Sequence, residues 1–349
     1  MKKFLLALVA IVALVAVTVL YITPWPSVWA IRMLFDHGAK TASDALVKHL
    51  PDNVTAQRAL RYDTADRGAL LEIYRPAQLD PARPTIVWIH GGGFVSGRRG
   101  DIENYLKILA GKGFAVVNVD YTIAPTATYP TPTRQFAKAI AYLDRNAGKL
   151  GINGDAFVFA GDSAGSHVAA QLANIVTAPD YARKVGITAP ITPAEMKGAL
   201  LHCGVFDAAM LDPDAGGFGG WFIRTVIWSY SGKREWRDVP GFETFSVGNY
   251  LTPAFPATFI SAGNADPLGP QSVKFDRQLR AQGVTVTSLF YPPDHDPPLG
   301  HEYQFNLDGE AGQKALAETV KWLETLDRKT MYILHDVNLT IYPSERLGG

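Results

Sequence analysis

Apolar residues in this chain fall into short continuous runs, separated by longer segments in which they recur every three to four positions. The runs "TIVWIHGGG" (85–93), "FAVVNVDYTIAP" (114–125) and "DAFVFAGD" (155–162) are rich in β-branched and aromatic residues. A strand covered on both faces has this signature, because both of its faces need apolar side chains. "RALRYD" (58–63) and "LLEIYRP" (70–76) predict an early pair of strands. "KGALLHCGVFD" (197–207), "ATFISAGNADPL" (257–268) and "VTVTSLFYP" (284–292) predict three later ones. Helical spacing covers 101–112, 133–150, 163–176, 271–282 and 311–328. Strands alternating with helices predict an α/β fold, with a mostly parallel central sheet and helices on both faces.

Three segments stand outside this alternation. Residues 24–58 are mixed in character and read as helical. Residues 207–250, rich in glycine and aromatics, lie between two core strands, and a connection of that length inside a compact domain is a functional insertion. The tail 329–349 predicts no more than an extra strand. No internal repeat or low-complexity tract is found.

Behind "MKK", residues 4–22 are apolar and uncharged, and as a helix they would span about 28 Å, one bilayer core. The flank "TPWPSVWA" offers only Val28 and Ala30 as a cleavage match, well beyond the apolar run. Residues 1–23 therefore read as an uncleaved N-terminal membrane anchor in preference to a signal peptide. Lys2 and Lys3 orient it with the body outside the cytoplasm, secreted or periplasmic if the segment is cleaved.

Lys plus Arg and Asp plus Glu number 33 each, so no basic field draws nucleic acid. With 349 residues, 47% of them hydrophobic, one large domain is within reach. Cys203 is the single cysteine. It excludes an intramolecular disulfide, and in "GALLHCGVFD" it reads as a small buried hydrophobe.

The candidate chemistry begins at "GDSAG", 161–165, between a predicted strand and a predicted helix. A Gly-x-Ser-x-Gly turn forces its serine into a strained corner, with Oγ exposed at the positive end of the following helix. Ser163 is the candidate nucleophile. "HGGGF", 90–94, also follows a buried strand, and its glycines leave bare N–H groups able to face a developing anion.

"HGGGF", "DYTIAP" (120–125), "GDSAG", "DPL" (266–268) and "GHEYQF" (300–305), in that order, resemble the α/β-hydrolases of the hormone-sensitive-lipase-like esterase family over about residues 55–328. The resemblance implies an α/β-hydrolase fold with a helical cap. Segments 24–58 and 207–250 lie where that cap would be, within a catalytic domain running from 24 to 328. It implies an oxyanion hole made by the N–H groups of Gly92, Gly93 and Ala164, a small-molecule ester substrate and no cofactor. The sequence departs from the family pattern at Ser166 and Glu302, where glycine is common, and at Thr122, where a basic residue is common.

Triad order in this fold is serine, acid, histidine. Asp266 follows a strand at its carboxyl end and is the candidate acid, the rival reading being a helix-capping aspartate. Asp162 is too near Ser163 along the chain for that role and reads as a brace for neighbouring loops. Of the two histidines after the last strand, His301 in the family-like "GHEYQF" is preferred to His295 in "PDHDPP" as the base. His90 reads as a support of the glycine loop. Trp221 and Phe222 are candidate substrate-lining residues. The function expected is hydrolysis of small to medium acyl esters. The alternatives are amide or formamide hydrolysis on the same fold, or a ligand-binding protein that keeps the scaffold without turnover. A metal reading would use Asp294, His295, Asp296, His301 and Glu302, but the "HE" pair lacks a second histidine four residues on, where Phe305 stands.

Overall fold

The computed structural model describes residues 21–326 continuously, together with residues 2, 4–6, 11 and 17–19. Among them, eight strands form one sheet in the order β1-β2-β4-β3-β5-β6-β7-β8. They are β1 (Val54–Arg61), β2 (Leu70–Pro76), β3 (Thr85–Ile89), β4 (Val116–Val119), β5 (Phe157–Asp162), β6 (Met196–His202), β7 (Thr258–Ala262) and β8 (Val286–Phe290). β2 pairs antiparallel with β1 and with β4, and every later neighbour pair is parallel. Helix α1 spans Trp25–Ala45, α2 Arg99–Ala110, α3 Thr131–Leu150, α4 Ala164–Thr177 and α5 Pro179–Val185. α6 spans Gly217–Ser231, α7 Gly269–Ala281 and α8 Glu310–Thr325.

Strand side chains alternate between faces, so each central strand supplies two cores. Val87, Ile89, Val117, Val119, Phe157 and Phe159 join Phe136, Ile140 and Leu143 of α3 and Val168 and Leu172 of α4. Ile86, Trp88, Val116, Val158, Ala160 and Leu200 join Tyr105, Leu106 and Leu109 of α2 and Leu316, Trp322 and Leu323 of α8. Each such side chain contributes about 1.5–3 kcal/mol on leaving water. Because the sheet is covered on both faces, loops at the carboxyl ends of the parallel strands remain as the place for a site.

The membrane span expected over residues 4–22 is corrected. Many of those residues lie outside the described ones, and among the described residues no helix is long and apolar enough to cross a membrane. α1, the helix that follows, carries Arg32, Asp36, Lys40 and Asp44, and it buries Val28 and Ile31 against protein. The single-span anchor is withdrawn, and the membrane association argued from it is left without support. The extra strand expected in the tail lies outside the described residues, which end at Leu326.

Candidate active site

Ser163 sits between β5 and α4 at φ 51°, ψ −119°. A non-glycine residue held there stores about 1–3 kcal/mol, so its surroundings must over-determine it. They do. Ser163 N donates to His202 O at 2.9 Å. A Cβ at Gly161 would lie 2.5 Å from the Gly165 carbonyl carbon, and one at Gly165 would lie 2.0 Å from Ile89 O. Only hydrogen at both positions lets strand and helix close on the serine. Ser166 adds a clip, because its hydroxyl lies 2.7 Å from both Gly161 O and His202 O.

His301 reaches this corner from the loop after β8. Its Nε2 lies 2.9 Å from Ser163 Oγ, and its Nδ1 lies 3.0 Å from Asp266 Oδ1. The Asp266 side chain is fully buried and also accepts Leu268 N–H at 2.8 Å, so its turn is fixed before the imidazole arrives. Asn264, which the sequence reading missed, joins the two loops. Its Oδ1 accepts Leu299 N–H at 2.8 Å and its Nδ2 donates to His295 O at 3.0 Å. The one available signal was its place just before Ala265 and Asp266 at a strand end.

The glycine loop lies beside the serine. Gly92 (φ 103°) and Gly93 (φ 59°) have backbones that side chains rarely adopt, and Gly92 O accepts Ser96 N–H at 2.9 Å to close the turn. A Cβ on Gly93 would come within 3.1 Å of Phe222 Cζ, which places Phe222 directly over this loop. Trp221 packs instead on Phe218, ring centres 5.5 Å apart. Asp162 braces the loop as expected, accepting Gly91 N–H at 2.9 Å and Trp88 Nε1–H at 2.7 Å. His90 supports it too, stacked on Tyr121 at 4.4 Å with Nε2 3.3 Å from Asp120.

Burial opposes charge on His301, but the Asp266 hydrogen bond and the fields of Glu302, Asp266 and Asp162 outweigh it and raise its pKa to about 9. Acceptors that favour the imidazolium are the arrangement a general base needs when it must take a proton from a hydroxyl. His295 stays apart, against Tyr291 at 4.6 Å. The alternative metal cluster does not assemble either. Among the described residues, possible ligand atoms within 4.8 Å of one another come from Cys203, Asp266 and His301, not from Asp294, His295 or Asp296.

Two other histidines are buried without an acidic partner. Burial lowers His202 to about 3, and lowers His167 to about 4 despite its bond to Phe245 O. Both pKa values lie below the unfolded value of about 6.5, so the stability they add is present above that pH and is lost as pH falls toward the folded values. Each then withdraws about 1.4 kcal/mol per pH unit. Calorimetry should show the melting temperature falling steadily below about pH 6.5, with a shallower fall once His202 is replaced by glutamine.

Known proteins resemble this chain over most of its length. An esterase of Gibberella moniliformis is 27% identical over 251 residues, covering 70% of this chain and 77% of the relative. The ethyl acetate hydrolase of Pseudomonas putida is 29% identical over 262 residues, covering 72% and 78%. The crystal structure of esterase B from Lactobacillus rhamnosis superposes with a TM-score of 0.76 at 22% identity, over 89% of this chain and 98% of that one. The family model BD-FAE matches residues 71–279, more than half of the chain. The chain belongs to the BD-FAE family, and it is an α/β-hydrolase of the hormone-sensitive-lipase-like carboxylesterases, acting on ester bonds.

Proposed function

We propose that the protein hydrolyses esters of short acyl groups through Ser163, His301 and Asp266. The observation that carries this is the hydrogen-bonded line from Ser163 Oγ through both ring nitrogens of His301 to a buried carboxylate. In this reading His301 Nε2 takes the hydroxyl proton as Ser163 Oγ attacks the carbonyl carbon. Asp266 keeps the Nδ1–H tautomer and stabilises the imidazolium. The N–H groups of Gly92, Gly93 and Ala164 receive the oxyanion, each donor being worth about 3 kcal/mol in the barrier. The imidazolium returns its proton to the leaving alcohol, and water then repeats the sequence on the acyl-serine.

The cap in this reading is built from α1 and α6. Phe35 of α1 meets Phe222 of α6 at 5.5 Å, directly above the glycine loop. Ser163 is itself only 7% exposed, which in this reading favours compact acyl groups. The names of two relatives, an ethyl acetate hydrolase and an acetyl esterase of Salmonella dublin, point to the same acyl size.

The test is a series of p-nitrophenyl esters from acetate to laurate, with p-nitroacetanilide as the amide. We expect kcat/KM to peak at acetate to butyrate and to fall by at least about tenfold toward laurate, as a closed pocket rejects added methylenes. A peak at the long esters would overturn the short-acyl reading, and faster cleavage of the anilide would move the substrate class to amides.

A further inference from the structure

Glu302 follows the catalytic base directly, where the sequence departs from its family, and it holds a left-handed backbone at φ 61°, ψ 26°. A side chain there costs about 1 kcal/mol, whereas glycine adopts it freely. The strain aims the carboxyl inward. Its Oε1 lies 3.9 Å from His301 Nε2, the nitrogen that faces Ser163, and its other close neighbour is the Asp162 carboxyl. Removal from water raises both groups, and the charges of Asp162 and Asp266 raise Glu302 further against the pull of His301, whereas Trp88, His90, Gly91 and Glu302 itself all draw Asp162 downward. The titratable groups facing this pair are His301 beside it, Asp266 after β7, Cys203 after β6 and, around Asp162, His90, Tyr105 and Tyr121.

Asp162 is itself held by Gly91 N and Trp88 Nε1, so Glu302 faces a carboxyl fixed against the glycine loop. We propose that Glu302 is a positioning residue of the ester-hydrolysing site: its carboxylate, beside the nitrogen that faces Ser163, sets the pH above which His301 can act as base. This rests on His301 being the base for Ser163. An ionised Glu302 3.9 Å from Nε2 favours the imidazolium, and a charge that near shifts a histidine by about one unit or more. The free base is then reached only at higher pH.

The test is the pH profile of kcat/KM for p-nitrophenyl acetate in the full chain, for Glu302→Gln and Glu302→Gly. Glutamine can still donate an amide hydrogen to Asp162 but carries no charge. Glycine suits the backbone and removes both the charge and the side chain that stiffens the loop. We expect the acid limb to move down by about one pH unit in both variants. The plateau kcat of the glycine variant should fall about tenfold further than that of the glutamine variant, the cost of a loosened base. An acid limb that stays in place in both variants overturns the proposal, even if the rate falls, because a purely structural role would leave the pH profile unmoved. Ser163→Ala measured alongside separates the two claims. If that variant keeps turnover, the serine reading fails; if it is inactive and the limbs do not move, only the role of Glu302 fails.

Discussion

Ser163→Ala should abolish ester hydrolysis, lowering kcat by about five to six orders of magnitude, to whatever the remaining donors and binding contribute alone. No neighbouring group can substitute for it. Cys203 is buried, and burial together with the charges of Glu302, Asp266 and Asp162 pushes its thiol well above the ordinary range, so it stays protonated. His301 would lose its partner at 2.9 Å but keep Asp266. Alanine at this left-handed corner is as strained as serine, so melting should move by less than about 1 kcal/mol. Residual turnover is read by following p-nitrophenyl acetate to high enzyme concentration, with mass spectrometry for an acyl adduct. An adduct at another residue would transfer the nucleophile there.

Asp266→Asn is the second large effect, about four orders of magnitude in kcat/KM. Asp266 Oδ1 serves both His301 Nδ1 and Leu268 N. An asparagine that turns its NH₂ toward His301 forces the wrong tautomer, with a hydrogen on Nε2 where the serine proton must go. If its oxygen stays in place instead, the imidazolium loses its main countercharge. Either way the acid limb should fall well below that of the parent, because burial, which opposes charge on His301, would no longer be outweighed by the carboxylate. A loss of less than about tenfold would mean that Asp266 does not orient the base.

Much of this architecture was legible because period and residue type are imposed by burial. "TIVWI" and "FVFAGD" are apolar except at one end, as covering both sheet faces requires, and they lie at the centre of the sheet. The candidate residues were legible because the chemistry proposed for them restricts their identity and order, even though 138 positions separate Ser163 from His301. The insertion was opaque for the opposite reason. Trp236, Phe242 and Phe245 are buried in short 3₁₀ turns too brief to express a repeat. Asn264 and Glu302 are ordinary polar residues in sequence, and their roles arise only from the loops that bring them to the triad. The apolar N-terminus misled because composition can show the length of a span, whereas the described helices do not supply one.

Arg32 of α1 donates from Nε to Val95 O at 2.7 Å and from Nη2 to Ala124 O at 3.0 Å. The first acceptor ends the glycine loop, and the second belongs to "DYTIAP". The same helix presents Phe35 to Phe222, nearly two hundred positions away. For anyone recombining such enzymes, the unit of inheritance is therefore discontinuous. A chimera that imports only the insertion, or only the leading helix, mates a foreign surface to a native one directly above the glycine loop. Exchanged as a matched set, with Arg32 and its two carbonyl acceptors retained, the pair can carry its preference from one scaffold to another.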